Sequence, residues 1–239
     1  MRLDAFIASF GLGSRREAGE MIRAGRVTVA GTVARSASVH VKPGEDAVAC
    51  DGAALCWRDG FCIMMNKPAG LLSATEDPKQ RTVLDLLEPV HRARGVFPAG
   101  RLDKDAIGLL LLTDDGTLAH RLLSPGRGVS KRYEVWLEAP MNARAQQKAM
   151  QAFAAGVALS DFTALPAQLD WLGGDHAVAR VCEGKFHQVK RMFEAVGGQV
   201  RMLKRLSIGG LMLDEALPPG AYRDLTAEEL AGLRKEAGL

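Results

Sequence analysis

The chain has 239 residues, 47% apolar and 25% charged, with a formal net charge of +3; this is globular composition, with room for one large domain or two smaller ones. The four cysteines (Cys50, Cys56, Cys62, Cys182) form neither a disulfide ladder nor a paired C-x-x-C metal site, and the apolar runs fall far short of the roughly 20 residues of a membrane span. Met1 is followed at once by Arg2 and Asp4 with no apolar signal core, so a soluble, cytoplasmic protein with reduced thiols and no membrane association is expected.

In chain order, Leu3, Phe6, Ile7 and Phe10 follow the i, i+3, i+4, i+7 spacing of a helix with one buried face, and Gly11 and Gly13 break it. Ser14 and Glu17 form the S-x-x-E pattern of a capping box at the start of a second helix, which Gly25 ends. Val27, Val29 and Val33 alternate around Ala30-Gly31, as in a strand, a turn and a second strand. Arg15, Arg16, Arg23 and Arg26 fall on or beside the second helix. This helix-helix-hairpin unit, with its text "SRREAGEMIRAGRVTVAGTV", resembles the RNA-binding domain first described in ribosomal small-subunit protein four. The resemblance implies that those four arginines face RNA phosphates.

A boundary is expected between Asp51 and Gly60, giving a small domain over 1–56 and a larger one over 60–239. From Phe61 the elements change character. "FCIMMNKPAG" reads as a buried strand ending at Lys67-Pro68, and "TVLDLLEPV" as a short helix. "KRYEVWLEAP" alternates like a strand, and "RAQQKAMQAFAAG" is helical up to Gly156. "LPAQLDWL" and "HAVARVCEG" are strands, and "FHQVKRMFEAVGG" is a helix stopped by Gly197-Gly198. "VRMLKRLSIGGLML" is extended, and Thr226 with Glu229 caps a last helix. Strands and helices interleave without repeated βαβ units. The larger domain is therefore predicted to be α+β, with a mixed, largely antiparallel sheet flanked by helices, behind the small helix-and-hairpin domain.

Charge is unevenly placed. Residues 1–42 carry seven Lys/Arg against three acids, residues 120–132 four against none, and residues 185–205 six against one. The stretch from Asp214 to Leu239 has three basic and six acidic residues. Separated basic segments fit a surface that meets a polyanion. The five histidines are scattered singly, and no nucleotide loop, dinucleotide fingerprint, G-x-S-x-G elbow or zinc deaminase pattern is present. Chemistry is therefore expected from a carboxylate, without metal or cofactor. Asp103, in "AGRLDKDAIGLLLLTDDG", precedes the apolar run Leu109–Leu112. A partly dehydrated carboxylate needs a nearby cation; Arg101 flanks it, and Lys190 or Arg191 can reach it from a distant basic helix.

"GRLDKDAIGLLLLTDDG" resembles the catalytic motif of the pseudouridine synthases, in the branch that carries an N-terminal domain of the type above. "MNKPAG", "KRYEV", "EGKFHQVKRMFEAVG" and "LKRLSIGGLML" resemble four further motifs of that branch, in the same order. The resemblance implies a pseudouridine synthase fold and an rRNA-modifying isomerase. Asp103 would be its essential carboxylate, Tyr133 the tyrosine that stacks on the base, and Lys190 the cation paired with the aspartate. It further implies Arg101, Lys67 and Arg191 at the substrate, and Leu203 or Leu206 as an apolar wall under the base. Two positions depart from the common pattern: Ala106-Ile107 stands where many members have a polar pair, and Lys190 where many have Arg. Asp105 is expected to be structural or solvated, His187 structural, and Asp114 and Asp115 to form a turn. The expected substrate is 16S rRNA of the small subunit or its ribonucleoprotein assembly intermediate, bound by a monomer. The same reaction on large-subunit rRNA or tRNA, or a non-catalytic RNA-binding assembly role, stands as the alternative.

Overall fold

Ser14 accepts a hydrogen bond from the Glu17 N–H while the Glu17 carboxylate accepts from the Ser14 N–H, so the S-x-x-E signature closes as a capping box. It starts α2 (Arg15–Arg23), which packs on α1 (Leu3–Ala8). The computed structural model describes residues 1–239. They form two compact units: Met1–Phe61 with Leu84–Phe97, and Cys62–Val83 with Pro98–Leu239.

In the first unit the two helices cover a four-stranded antiparallel sheet of β1 (Val27–Val29), β2 (Thr32–Val33), β3 (Val48–Cys50) and β4 (Ala53–Ala54), in the order β2-β1-β3-β4. Its core is Leu3, Phe6, Ile7, Ala18, Ile22, Val27, Val41 and Val48, with Phe10 and Trp57 packed against it. Both hairpins turn through two consecutive residues of positive φ, Ala30-Gly31 and Asp51-Gly52, the geometry whose twist matches paired strands. The second hairpin occupies a stretch that the sequence reading treats as the edge of a linker. The segment Leu84–Phe97 also belongs to this unit rather than to the stretch around it. "TVLDLLEPV" is a 3-10 turn, Val83–Leu86, followed by a separate helix α3 (Pro89–Ala93) that Pro89 opens in the first turn. Pro89 lies against Gly11, the Arg94 guanidinium stands 4.2 Å over the Trp57 ring, and His91 packs edge-on to Phe61. β6 (Phe97–Pro98) marks the last passage of the chain from one unit to the other.

The second unit contains β5 (Cys62–Lys67), β7 (Ile107–Thr113), β8 (Lys131–Leu137), β9 (Gln168–Trp171), β10 (His176–Val181), β11 (Val200–Ile208), β12 (Leu211–Met212) and β13 (Tyr222–Asp224). They run β13-β5-β7-β11-β8-β10-β9, with β12 on β11. Only β7 with β11 is parallel; the other pairs among these strands are antiparallel, so the sheet is mixed and largely antiparallel. Leu109–Leu112 are fully buried in β7, a continuous apolar run suited to a strand covered on both faces. β8 alternates buried and half-buried residues along its length, as expected of a strand with one covered face. The helices are α4 (Gly116–Leu123), α5 (Ala143–Ala155), α6 (Gln188–Ala195) and α7 (Ala227–Ala237). α5 packs on β9, α6 on β11, and α7 on α4 and β12.

At Gly108, where β7 meets β11, φ is +97°, and an added Cβ would collide with the Arg205 carbonyl oxygen and come within 2.9 Å of its nitrogen. Gly108→Ala is expected to destabilise the second unit by at least about 2 kcal/mol, from left-handed strain plus a clash with backbone that cannot swing away. Urea unfolding followed by circular dichroism measures it.

Candidate active site

β5 ends at Lys67, which pairs in register with Gly108 at the start of β7. The Lys67 side chain is fully buried. Its Nζ donates to the carbonyl oxygens of Pro68 (3.1 Å), Asp103 (3.1 Å), Lys104 (3.2 Å) and Ala106 (2.9 Å). Burial pushes this ammonium down to about 8, against the opposing pull of Asp105 and Asp103. Lys67 was expected at the substrate. With no exposed surface and its donors all turned to backbone, it sits instead under the loop Arg101–Ala106 and holds it.

Other bonds fix the same loop. Ser73 Oγ accepts from the Leu102 N–H at 3.1 Å and donates to the Leu102 carbonyl at 2.9 Å. The Gly70 N–H donates to the Lys104 carbonyl at 2.7 Å, and the Ala106 N–H to the Asp103 carbonyl at 3.1 Å. Ala106 is buried and Ile107 begins β7, so the departure from a polar pair adds apolar packing at the foot of the loop. The Asp103 carboxylate stands at its tip, 21% exposed.

α6 supplies the cation. Lys190 Nζ is 3.2 Å from Asp103 Oδ2 and 2.6 Å from Asp105 Oδ1. Burial alone would lower the Lys190 pKa, but Asp105 and Asp103 together outweigh it and raise it; Lys190 in turn lowers that of Asp105. His187, just before α6, places Nε2 3.4 Å from Asp103 Oδ1. Asp103 thus faces two groups of α6 and its cap, and Asp105, though largely solvated, is an ion-pair partner of the same Lys190.

Asp103 and His187 open onto a cleft whose wall also includes Arg101, Tyr133 and Leu203. Tyr133 is buried on β8, opposite Arg205 of β11 and Ala179 of β10. Leu203 is likewise buried on β11. Leu206, the alternative for the wall, falls at an irregularity of the β11–β8 pairing between Arg205 and Ser207 and is not part of the cleft lining. Arg191 also does not line the cleft: its guanidinium turns to the Asp161 carboxylate and to Ser160 Oγ at 3.2 Å. No group of three or more His, Cys, Asp or Glu side chains is arranged to hold a metal ion.

The sequence reading left out the frame of the turn before α6. Glu183 is buried and accepts from the Leu165 N–H at 2.7 Å and from Gln188 Nε2 at 2.8 Å, and Gln188 Oε1 accepts from the Lys185 N–H at 3.0 Å. The sequence carries no signal of this frame, because it is the burial of Glu183 and Gln188 that makes their bonds obligatory.

In the first unit, the α2 arginines are exposed. Arg15 reaches Asp4 at 3.2 Å, Arg16 reaches Glu20 at 3.7 Å, and Arg26, just past the helix, reaches Asp51 at 2.5 Å. Arg23 lies in the last turn of α2.

Residues 62–195 match the family model described as RNA pseudouridylate synthase, and residues 1–46 match the S4 domain. The chain is 46% identical over 237 residues to ribosomal small subunit pseudouridine synthase A of Escherichia coli, covering 98% of this chain and 100% of that protein. It is 45% identical over 235 residues to an uncharacterized RNA pseudouridine synthase of Bacillus subtilis, covering 96% and 97%. A crystal structure of a pseudouridylate synthase aligns with a TM-score of 0.67 at 36% identity, over 98% of this chain and 99% of that one. With a family model across more than half of its length and relatives matched end to end, the chain belongs to the RNA pseudouridylate synthase family and carries an S4 domain at its N-terminus.

Proposed function

We propose that this enzyme converts a uridine of small-subunit (16S) ribosomal RNA to pseudouridine, with Asp103 as the reacting carboxylate and no call on a metal or cofactor. The observation that carries the reading is the Asp103 carboxylate on an immobilised loop, 3.2 Å from the Lys190 ammonium and in one cleft with Tyr133. A carboxylate held beside a cation is competent to attack, or to support departure of, a sugar-linked base. The choice of small-subunit RNA rests on the names of the full-length relatives.

In this reading the target nucleotide leaves its stack and enters the cleft, at a cost of a few kcal/mol that RNA contacts offset. Asp103 promotes cleavage of the bond between C1′ and N1. The detached uracil turns over against Tyr133 and Leu203, and a new bond forms between C1′ and C5. C5 gives up its proton and N1 takes one up, so the reaction is an isomerisation with no net gain or loss. Arg101 positions the nucleotide, and Lys67 keeps the loop in place without touching substrate. Arg15, Arg16, Arg23 and Arg26 of the S4 domain supply phosphate contacts, which orient the RNA without reading its sequence.

Asp103→Asn is expected to lower product formation by more than about a thousandfold while leaving RNA affinity within about twofold, since the substitution removes the nucleophile and little else. Product assay and filter binding on the same RNA separate the two; pseudouridine made at an ordinary rate would sink the mechanism. Pseudouridine mapping across total RNA of a strain lacking the gene is expected to show one lost site in small-subunit rRNA, and a loss elsewhere defeats that target.

The Lys67 ammonium yields a pH prediction with opposite signs for activity and stability. Its folded value, about 8, lies below its ordinary 10.5. Between those values the unfolded chain holds the extra proton, so this group alone makes folding more favourable as pH rises. The loop it holds loses its cation over the same range. kcat/KM is expected to fall by about fivefold to tenfold between pH 7.5 and 9, following the ammonium fraction, without a matching fall in thermal midpoint.

A further inference from the structure

The geometry points to the Phe186–His187 ring pair as a stacking platform for the nucleobase adjacent to the reacting uridine, an inference that rests on the function proposed above. Phe186 is 75% exposed, more than any other large apolar side chain of the protein. Its ring lies on the His187 imidazole with centroids 3.8 Å apart and planes 18° from parallel. His187 lines the cleft and stands 3.4 Å from Asp103. An aromatic surface therefore begins beside the carboxylate and ends in solvent.

Two features show that this surface is built rather than incidental. His187 adopts left-handed backbone, φ +48° and ψ +26°, a conformation that costs free energy in a residue with a side chain and persists where the surroundings enforce it. Those surroundings are the Glu183–Gln188–Lys185 bonds, which clamp the turn on both sides of Phe186. The phenyl ring is thus presented at a fixed place, with an apolar face left in water that a partner can cover.

Its position selects the partner. A uridine drawn into the cleft leaves its neighbour in the strand with one unstacked face, close to the mouth through which the target has passed. Lys185 and Arg101 line the same cleft, which suits a polyanionic strand. Stacking on an aromatic side chain tolerates any base, so the platform holds the strand next to the target and adds affinity without base readout.

The test uses the full-length enzyme and an RNA fragment centred on the uridine that the wild type converts. Phe186→Ala and Phe186→Leu are expected to raise KM about tenfold with kcat within about twofold, and Phe186→Trp to restore the wild-type KM. An abasic nucleotide placed at one of the two positions flanking the uridine should cost the wild type the same factor and cost Phe186→Ala nothing further. An unchanged KM in Phe186→Ala, or abasic losses that add in full to the variant's own, overturns the platform and leaves the isomerase reading intact. A wild-type enzyme that converts no uridine in any cellular RNA overturns both.

Discussion

The arrangement depends first on a buried positive charge. An ammonium taken out of water costs several kcal/mol unless something replaces its hydration. At Lys67 the replacement is backbone: carbonyls of Pro68, Asp103, Lys104 and Ala106 converge on one nitrogen. The need of the charge for oxygen and the need of the loop for a fixed shape are met by the same contacts. Two other strand cations follow the same rule. Lys131 is buried and donates to the Leu122 carbonyl, and Arg205 is buried with Nε on the Leu109 carbonyl and Nη2 without a partner. Three buried cations of the second unit thus rest on carbonyl rather than carboxylate partners.

Lys190 works differently, because it is shared. Its shorter contact goes to Asp105, which is largely solvated, and its longer one to Asp103, which is not. Asp105 ties α6 to the loop, so the cation has a fixed place. Asp103 is then held near positive charge without surrendering both oxygens to it. A lysine suits this division, since its ammonium has three donors that can turn to two acids.

Much of this was legible in the sequence where a residue's role follows from its own chemistry. Both capping boxes, the buried leucine run, the first hairpin and the meeting of Asp103 with Lys190 follow from local patterns or motif order. What was not legible depends on backbone. Lys67 looks like a substrate cation because its partners, four carbonyls, have no sequence signature. Phe186 reads as the first residue of a helix, whereas α6 begins at Gln188 and Phe186 lies in the turn before it, largely exposed. Arg191 and Leu206 sit one or a few positions from residues that do line the cleft, and a single step along a helix or strand changes the face. The Asp51-Gly52 hairpin carries its own signal, a dipeptide suited to a two-residue turn, in a stretch whose composition also fits a domain boundary.

The sheet order has a consequence for the history of each molecule. β13, close to the end of the chain, pairs with β5, the first strand of the second unit, and Asn66 of β5 donates to the Leu217 carbonyl 151 residues later. Lys190 and Asp105 are 85 residues apart. Such remote pairings form slowly, after the entropy of closing long loops has been overcome. A ribosome extends the chain from the N-terminus, so α1, α2 and their arginines emerge long before α6 can meet the loop. Asp105 and Asp103 therefore wait for the synthesis of α6 before they meet Lys190, so this ion-paired cluster is a later acquisition of the nascent molecule than the helix pair of the first unit.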